Sequence, residues 1–390
     1  MGREMSELRY PAARLHARKL RDHFARQVSD PRGPRRQGVE LPDPRTIAAL
    51  VDAGFWASLQ HEEGYAPEIS LAFLPPGRAE HPMRLAAPLA LRARALARLA
   101  PAVERPGIHL GVWRDGGKLV VWGTTRAVPS SCFVLEVLGP GLLVVKHRIR
   151  DSPKFRNVAV FEGERVKLIR RRAGGASDAP VLLRSLLGHG AGRLSDGGDD
   201  LLLRLAVSMR AHRRGGTLLV VPAESEKWRE SILRPASYLV EPAFADLAEL
   251  LASPPEERAP AMEKAVDAVA GLTAVDGATV INDHYELLAF GVKIGRPDGR
   301  PRVERVTLSE PVEGNRPVVV GPLQLGGTRH NSAAQFAQDQ REAIAMVASQ
   351  DGRFTLFAWS PREGMVHAHR VEALLLESCP ASLCDGGCSS

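Results

Sequence analysis

A change of sequence pattern near the middle of the chain most constrains its fold. Two polar, glycine-rich stretches, residues 172–178 and 188–200, bracket a short apolar segment. Stretches of this composition usually connect compact domains. At 390 residues the chain is long enough for two or three domains, each with its own core. We therefore predict one domain over residues 1–190, a second over residues 191–376, and a flexible tail over residues 377–390.

The N-terminal part consists mainly of short apolar runs separated by turn residues. Two helices are predicted first, at residues 12–27 and 46–53. The predicted strands cover residues 67–73, 108–112, 118–125, 132–138, 142–147, 158–161 and 165–170. Short runs joined by Gly, Pro, Asp and Ser are typical of hairpins, so we predict an antiparallel, β-rich domain flanked by helices. Trp113, Trp122 and Phe133 lie in or between these runs, where aromatic side chains form core more often than a ligand pocket.

The C-terminal part mixes helices and strands. Predicted helices cover residues 201–212, 244–251, 260–272 and 332–340, and predicted strands cover residues 217–221, 274–282, 287–294, 355–359 and 365–369. This succession predicts an α/β domain with a mixed sheet and flanking helices, and an α+β class for the chain as a whole.

Two motifs in the C-terminal part lie where an element begins. Asp276-Gly277-Ala278 stands at a strand edge, and Gly326-Gly327-Thr328-Arg329-His330-Asn331 leads into a helix. A glycine-rich loop entering a helix presents free backbone N–H groups to anions, and Thr328 could cap the helix or contact a phosphate. In order and context these motifs resemble the DGA and GTRHR motifs of the diadenylate cyclase (DAC) family, whose members join two ATP molecules into cyclic di-AMP.

The N-terminal layout resembles a second named region. Tyr10-Pro11-Ala12 at the front, followed by a β-rich section ahead of the DAC-like part, is similar to DACNV, a sensor region found fused to DAC domains. This resemblance implies a sensor that receives a small-molecule or protein signal. The two resemblances together imply a regulated diadenylate cyclase that works as a homodimer with its DAC-like domains face to face.

The DAC resemblance also implies roles for individual residues. Catalytic roles fall to Asp276, Gly277, Ala278, Arg329 and His330. ATP-binding roles fall to Gly326, Gly327, Thr328, Asn331, Ser360 and Arg362. The cofactor is Mg²⁺ or Mn²⁺, with Asp276, His330 and Glu363 as its candidate ligands. These types suit the reaction, because carboxylates hold divalent cations and guanidinium groups clamp phosphate oxygens.

The chain departs from the family pattern at two places. Asn331 stands where the family motif ends in a second arginine. The family's Ser-Glu-Glu segment, expected after the strand that follows the helix, is assigned to Ser360-Pro361-Arg362-Glu363, so Glu363 would supply the carboxylate and Arg362 would restore the missing positive charge. These departures leave open a protein that binds nucleotide without cyclising it.

Charge and composition bound the partners and the location. The net charge is +7, but its arginines are scattered, which favours solvated faces over a nucleic-acid surface. No run of eighteen apolar residues occurs, so we expect a cytoplasmic protein without a membrane span. Cys379, Cys384 and Cys388 match no zinc-finger spacing, and a frayed end is favoured over a zinc site.

Overall fold

The computed structural model divides the chain into two compact units. The first comprises Met1–Arg170 with Leu376–Ser390, and the second comprises Arg171–Leu375. The structure describes residues 9–28, 40–61, 66–105, 107–149, 155–170, 198–236 and 238–376. The boundary predicted near residue 190, the predicted tail and its three cysteines lie outside the described residues.

The described part of the first unit contains three α-helices and eight strands. The helices are α1 Pro11–Val28, α2 Pro44–Ser58 and α3 Ala93–Leu99. The strands are β1 Ile69–Phe73, β2 Met83–Ala90, β3 His109–Asp115, β4 Lys118–Thr125, β5 Phe133–Gly139, β6 Leu142–Arg148, β7 Phe155–Glu162 and β8 Arg165–Leu168. Helix α2 begins two residues before the predicted range of 46–53, because the Asp43 carboxylate accepts a hydrogen bond from the Thr46 N–H at 2.9 Å and Pro44 occupies the first turn.

The eight strands form one sheet in the order β2-β4-β3-β1-β5-β6-β7-β8. The prediction of an antiparallel sheet is wrong for one pair, since β1 and β3 run parallel. The connection between them contains β2 and α3, and such a crossover is what a parallel pair requires. The main core contains residues of α1 and α2, such as Phe24 and Leu50, together with sheet residues such as Phe73 and Phe133.

The aromatic residues singled out in the sequence are core, as the favoured reading predicted. Phe133 is fully buried, and Trp113 packs partly buried against the core. Trp122 is buried in a smaller cluster, where its indole N–H donates to the Leu74 carbonyl at 2.9 Å. That bond satisfies the polar atom of a buried indole.

The described part of the second unit contains four α-helices and nine strands. The helices are α4 Gly198–Ala211, α5 Asp246–Ala252, α6 Pro255–Leu272 and α7 Thr328–Asp339. The strands are β9 Gly216–Val221, β10 Tyr238–Phe244, β11 Ala278–Asn282, β12 Leu287–Val292, β13 Val306–Ser309, β14 Val318–Val320, β15 Ile344–Ala348, β16 Phe354–Ser360 and β17 Met365–Arg370.

These nine strands form a mixed sheet with a core on each face. The order is β10-β12-β11-β9-β15-β16-β17-β13-β14, and the pairs β9/β11 and β13/β17 are parallel. On one face, residues of α4 and α6 such as Met209 and Val266 share a cluster with the sheet. On the other face, Phe336 of α7 packs with strand residues such as Phe357. The predicted α/β arrangement with flanking helices is thus confirmed.

Strand β15 is missing from the sequence-based assignment, and its presence changes the reading of a motif. The strand that directly follows α7 is Ile344–Ala348, whereas the sequence analysis took residues 355–359 for it. Every residue of β15 is buried, so its apolar run lacks the alternation that marks a half-exposed strand.

In the described part of the chain, no helix has the length and apolarity needed to cross a membrane.

Candidate functional site

The two sequence motifs meet at one edge of the second unit's sheet. Strands β9 and β11 begin at this edge, while the antiparallel strands β12 and β15 end there. A cavity of about 630 Å³ lies at this edge and also reaches the start of α7. Its lining includes residues 276–278 and residues 327–330. A volume of this size is typical of a site for a small organic ligand.

Gly277 lets two backbone segments approach each other beneath the cavity. Its φ of +126° is a conformation that residues with a side chain rarely adopt. A Cβ at this position would lie 2.4 Å from the carbonyl carbon of Gly291 and 2.8 Å from the carbonyl oxygen of Val292. Glycine is therefore required by backbone contact, apart from any role towards a ligand.

Asp276 presents its carboxylate to solvent at the cavity rim. Its side chain is 90% exposed and accepts a hydrogen bond and ion pair from Lys293 Nζ at 2.5 Å. The hydrogen bond from Lys293, the charge of that ammonium group and, less strongly, Arg329 lower the pKa of Asp276. The carboxylate is ionised at neutral pH and accessible to a ligand. Any cation that binds it must compete with the Lys293 ammonium group.

The glycine-rich segment forms the N-terminus of α7. Gly327 is the N-cap and Thr328 is the first helical residue, so of the two roles expected of Thr328, helix cap or phosphate contact, the cap is wrong. Gly327 has an extended backbone and, lacking a side chain, makes no side-chain capping hydrogen bond. Its carbonyl oxygen accepts a hydrogen bond from the His330 N–H at 3.1 Å. The positive end of a twelve-residue helix thereby faces the cavity.

Arg329 brings a guanidinium group to the cavity wall. A Cβ built on Gly215 would lie 3.2 Å from Arg329 Nη1, so the absence of a side chain at residue 215 leaves space for the guanidinium. Gly215 has a φ of +71° in the turn that precedes β9. Together with Lys293, Arg329 makes the lining net positive against the single negative charge of Asp276.

His330 lines the cavity and is almost fully buried, with 3% of its surface exposed. The imidazole lies edge-on to Phe357 at 6.1 Å between ring centroids, and a Cβ on Gly326 would come within 2.4 Å of its Nδ1. Burial, followed by the positive charge of Arg370, lowers the pKa of His330, so the ring is neutral at pH 7. Among the described residues its Nε2 has no hydrogen-bond partner, and that nitrogen is itself buried.

The residues present fit a divalent cation that arrives with its substrate. Among the described residues, no group of three His, Cys, Asp or Glu side chains could hold a metal by itself. Mg²⁺ is commonly held by one or two carboxylates together with substrate phosphates. The exposed carboxylate of Asp276 suits that mode once Lys293 leaves it, whereas His330 Nε2 is buried.

Five predicted site residues do not line this cavity, and one of them, Gly326, directly precedes the lining residue Gly327. Asn331 lines a smaller, adjoining cavity. Ser360 ends β16, and the β15/β16 register pairs Ala348 with Phe354 and Ile344 with Ala358. Ser360, Arg362 and Glu363 therefore lie at the opposite edge of the sheet, where Glu363 Oε2 is 3.7 Å from His367 Nδ1. The expectation that these three residues join Asp276 is wrong, because β15 was missed.

The segment that follows β15 takes their place at the cavity. Ser349 and Gln350 line it, and the Gln350 amide donates to the Arg214 carbonyl at 3.4 Å. Asp351 follows, and Arg353 Nε lies 3.3 Å from its carboxylate. Sequence reasoning missed these residues, although a Ser-Gln-Asp triplet directly after a short apolar run was the available signal.

The first unit contains a cavity of its own. Its volume is about 590 Å³, and its lining includes Asp52, Trp56, Arg92 and Lys118. Among the described residues, the buried indole N–H of Trp56 has no hydrogen-bond partner. The pocket also carries two cations and the Asp52 carboxylate, which accepts a hydrogen bond from the Tyr10 N–H at 2.6 Å, so it is a candidate site for a small polar ligand.

Comparison with known proteins identifies part of the first unit. Residues 36–126 match the family described as the probable sensor domain DACNV. No curated protein matches the chain. A solved structure, described as the hypothetical membrane spanning protein from Bacillus cereus, is similar at 14% identity with a TM-score of 0.25. That similarity covers 44% of this chain and 63% of the other, so the chain spans less than two thirds of its length. The N-terminal sensor assignment thus has the support of a family match.

Proposed function

We propose that the chain is a diadenylate cyclase whose second unit condenses two ATP molecules into cyclic di-AMP and two pyrophosphates. The observation that carries the proposal is the shared cavity, where Asp276-Gly277-Ala278 and the start of α7 stand together. The match of residues 36–126 to DACNV supports it independently, because that sensor domain is associated with diadenylate cyclases.

The cavity supplies what the reaction needs from a protein. The 3′ oxygen of one ATP bonds to the α-phosphorus of the other, the bond to the bridging oxygen breaks, its electron pair leaves on pyrophosphate, and the hydroxyl proton passes to solvent. Such a displacement depends on positioning and on neutralising phosphate charge. Arg329, Lys293 and the N-terminus of α7 provide that positive potential.

Asp276 and Gly277 act at the reacting end of the nucleotide. Asp276 would orient the attacking hydroxyl or hold Mg²⁺ or Mn²⁺, and His330 would contact the phosphates or the cation. The bound cation would offset charge on the α-phosphate as the new bond forms. Gly277 has no side chain, so a ribose or phosphate can come close to the backbone.

The second units of two protein molecules must meet for the reaction to occur. Each second unit holds one ATP, so the product requires two sites that face each other with twofold symmetry. A sensor that permits or blocks this meeting controls the rate without touching the chemistry. The cavity lined by Trp56 is the place where a small ligand would act on the sensor.

A second candidate function is nucleotide binding without cyclisation. The ion pair between Asp276 and Lys293 favours it, since the ammonium occupies the carboxylate that a metal would need. In the segment after β15, the family's glutamates are replaced by Gln350 and by Asp351, whose carboxylate is engaged by Arg353.

Incubation of the full-length protein with ATP and Mn²⁺ separates the two functions. Chromatography of the mixture should show cyclic di-AMP in wild type and none in Asp276→Asn. Bound but unconverted ATP in wild type would favour the second function. ATP that is neither bound nor converted would refute both.

A further inference from the structure

A second cavity adjoins the candidate site and carries two arginines. Its volume is about 310 Å³, and Ile294 and Ser332 line both cavities, so the two spaces adjoin at these residues. Arg296 and Arg302 contribute two guanidinium groups, while no Asp or Glu is part of its lining. The space is thus suited to an anion.

Both arginines are available to a ligand. In the part of the chain that the structure describes, neither guanidinium forms an ion pair or a hydrogen bond. The nearby acid, Asp339, does not line the cavity, and its carboxylate accepts a hydrogen bond from Gln335 at 2.9 Å. Arg296 and Arg302 are exposed, so they reach solvent without a cost of desolvation.

A buried amide fixes the segment that carries Arg302. Gln335 of α7 is 7% exposed, and its Oε1 accepts from the Val303 N–H at 2.9 Å. Its Nε2 donates to the Pro301 carbonyl at 3.1 Å. One side chain therefore binds the peptide groups on both sides of Arg302. Because the segment is tied to α7, the arginine is positioned relative to the helix that also forms the main cavity.

Asn331 connects this cavity to the departure from the family motif. It stands where the family has a second arginine, and its side chain lines the cavity that holds Arg296 and Arg302. The compensating charge expected from Arg362 is at the opposite edge of the sheet. Positive charge is nonetheless present beside Asn331, supplied by the segment between β12 and β13.

We propose that this second cavity binds the β- and γ-phosphates of ATP and then the leaving pyrophosphate, with Arg296 and Arg302 as the phosphate-binding residues. This rests on the proposed function, since the α-phosphate then lies in the main cavity. A triphosphate that extends past Ser332 reaches both guanidinium groups. The electron pair released from the α-phosphorus adds charge to the pyrophosphate, which the two cations offset.

The test compares Arg296→Gln, Arg302→Gln and the double variant with Arg305→Gln in the full-length protein. Arg305 is an exposed arginine on the same segment that does not line the cavity, so it controls for general loss of charge. Calorimetry measures binding of inorganic pyrophosphate, and cyclase assays measure KM for ATP. Loss of one charge-assisted bond should weaken pyrophosphate binding about tenfold in each single variant. Arg305→Gln should bind as wild type does.

The outcomes separate this proposal from the proposed function. Pyrophosphate binding that depends on Arg296 and Arg302, in a protein that forms no cyclic di-AMP, supports the phosphate site and refutes the cyclase. Normal KM and product formation in the double variant support the cyclase and overturn the phosphate site. Equal weakening by Arg305→Gln, or no measurable binding of pyrophosphate to wild type, also overturns it.

Discussion

Two adjacent glycines in the candidate site should respond differently to the same substitution. A Cβ at Gly326 would lie 2.4, 2.6 and 2.9 Å from the Nδ1, Cε1 and Cγ atoms of His330, which is closer than van der Waals contact allows. A Cβ at Gly327 would meet nothing within 4 Å. Because His330 is buried against Phe357, its ring has little room to retreat.

Gly326→Ala should therefore destabilise the protein by about 1–3 kcal/mol, the cost of overpacking a buried site, and displace His330 from the cavity. Gly327→Ala should change stability by less, about 1 kcal/mol at most, because alanine is only a poorer N-cap. Denaturant unfolding measures the free energy, and NMR of the imidazole reports the position of the ring. Equal destabilisation by the two substitutions, or an unshifted His330 signal in Gly326→Ala, would refute the packing argument.

Three further predictions address individual groups. Asp276→Asn should abolish formation of cyclic di-AMP at an unchanged Tm, because it removes an exposed anion and keeps its volume; normal turnover would show that Asp276 is dispensable. Arg329→Ala should weaken ATP binding, measured by calorimetry, while leaving the Tm without ligand unaltered, and an unfolded variant would instead show a structural role. Burial lowers the pKa of His109 from 6.5 to about 4. The stability that depends on a neutral His109 is therefore fully present above pH 6.5 and is lost as the pH falls through 4. The total loss is roughly 3 kcal/mol. Urea unfolding at pH 7 and pH 4.5 should show a smaller loss in His109→Gln than in wild type, and identical losses would contradict this.

The elements that the sequence predicts well have strong local signals. Helix α2 starts at an Asp-Pro pair, a strong N-terminal signal, and β11 fills the second half of the strand predicted over residues 274–282. The two elements are set by a few neighbouring residues. The approach of residues 276–278 to the start of α7 is implied by the family resemblance alone, since the two motifs lie about fifty residues apart.

The features that were missed depend on tertiary contacts. Strand β15 is a five-residue buried run whose apolar pattern does not distinguish strand from helix. Because this strand was not predicted, the segment after it was sought at residues 360–363 instead of residues 349–351. Arg296 and Arg302 gave no signal, since the hydrogen bonds of Gln335 that fix their segment join residues more than thirty positions apart along the chain.

The most direct test of the cyclase account is a measurement of both products together. Full-length protein at several concentrations is mixed with ATP and Mn²⁺, and cyclic di-AMP and pyrophosphate are quantified over time. The account predicts two pyrophosphates for each cyclic di-AMP, and a specific activity that rises with protein concentration because two sites must meet. Bound ATP with neither product formed at any concentration would contradict it.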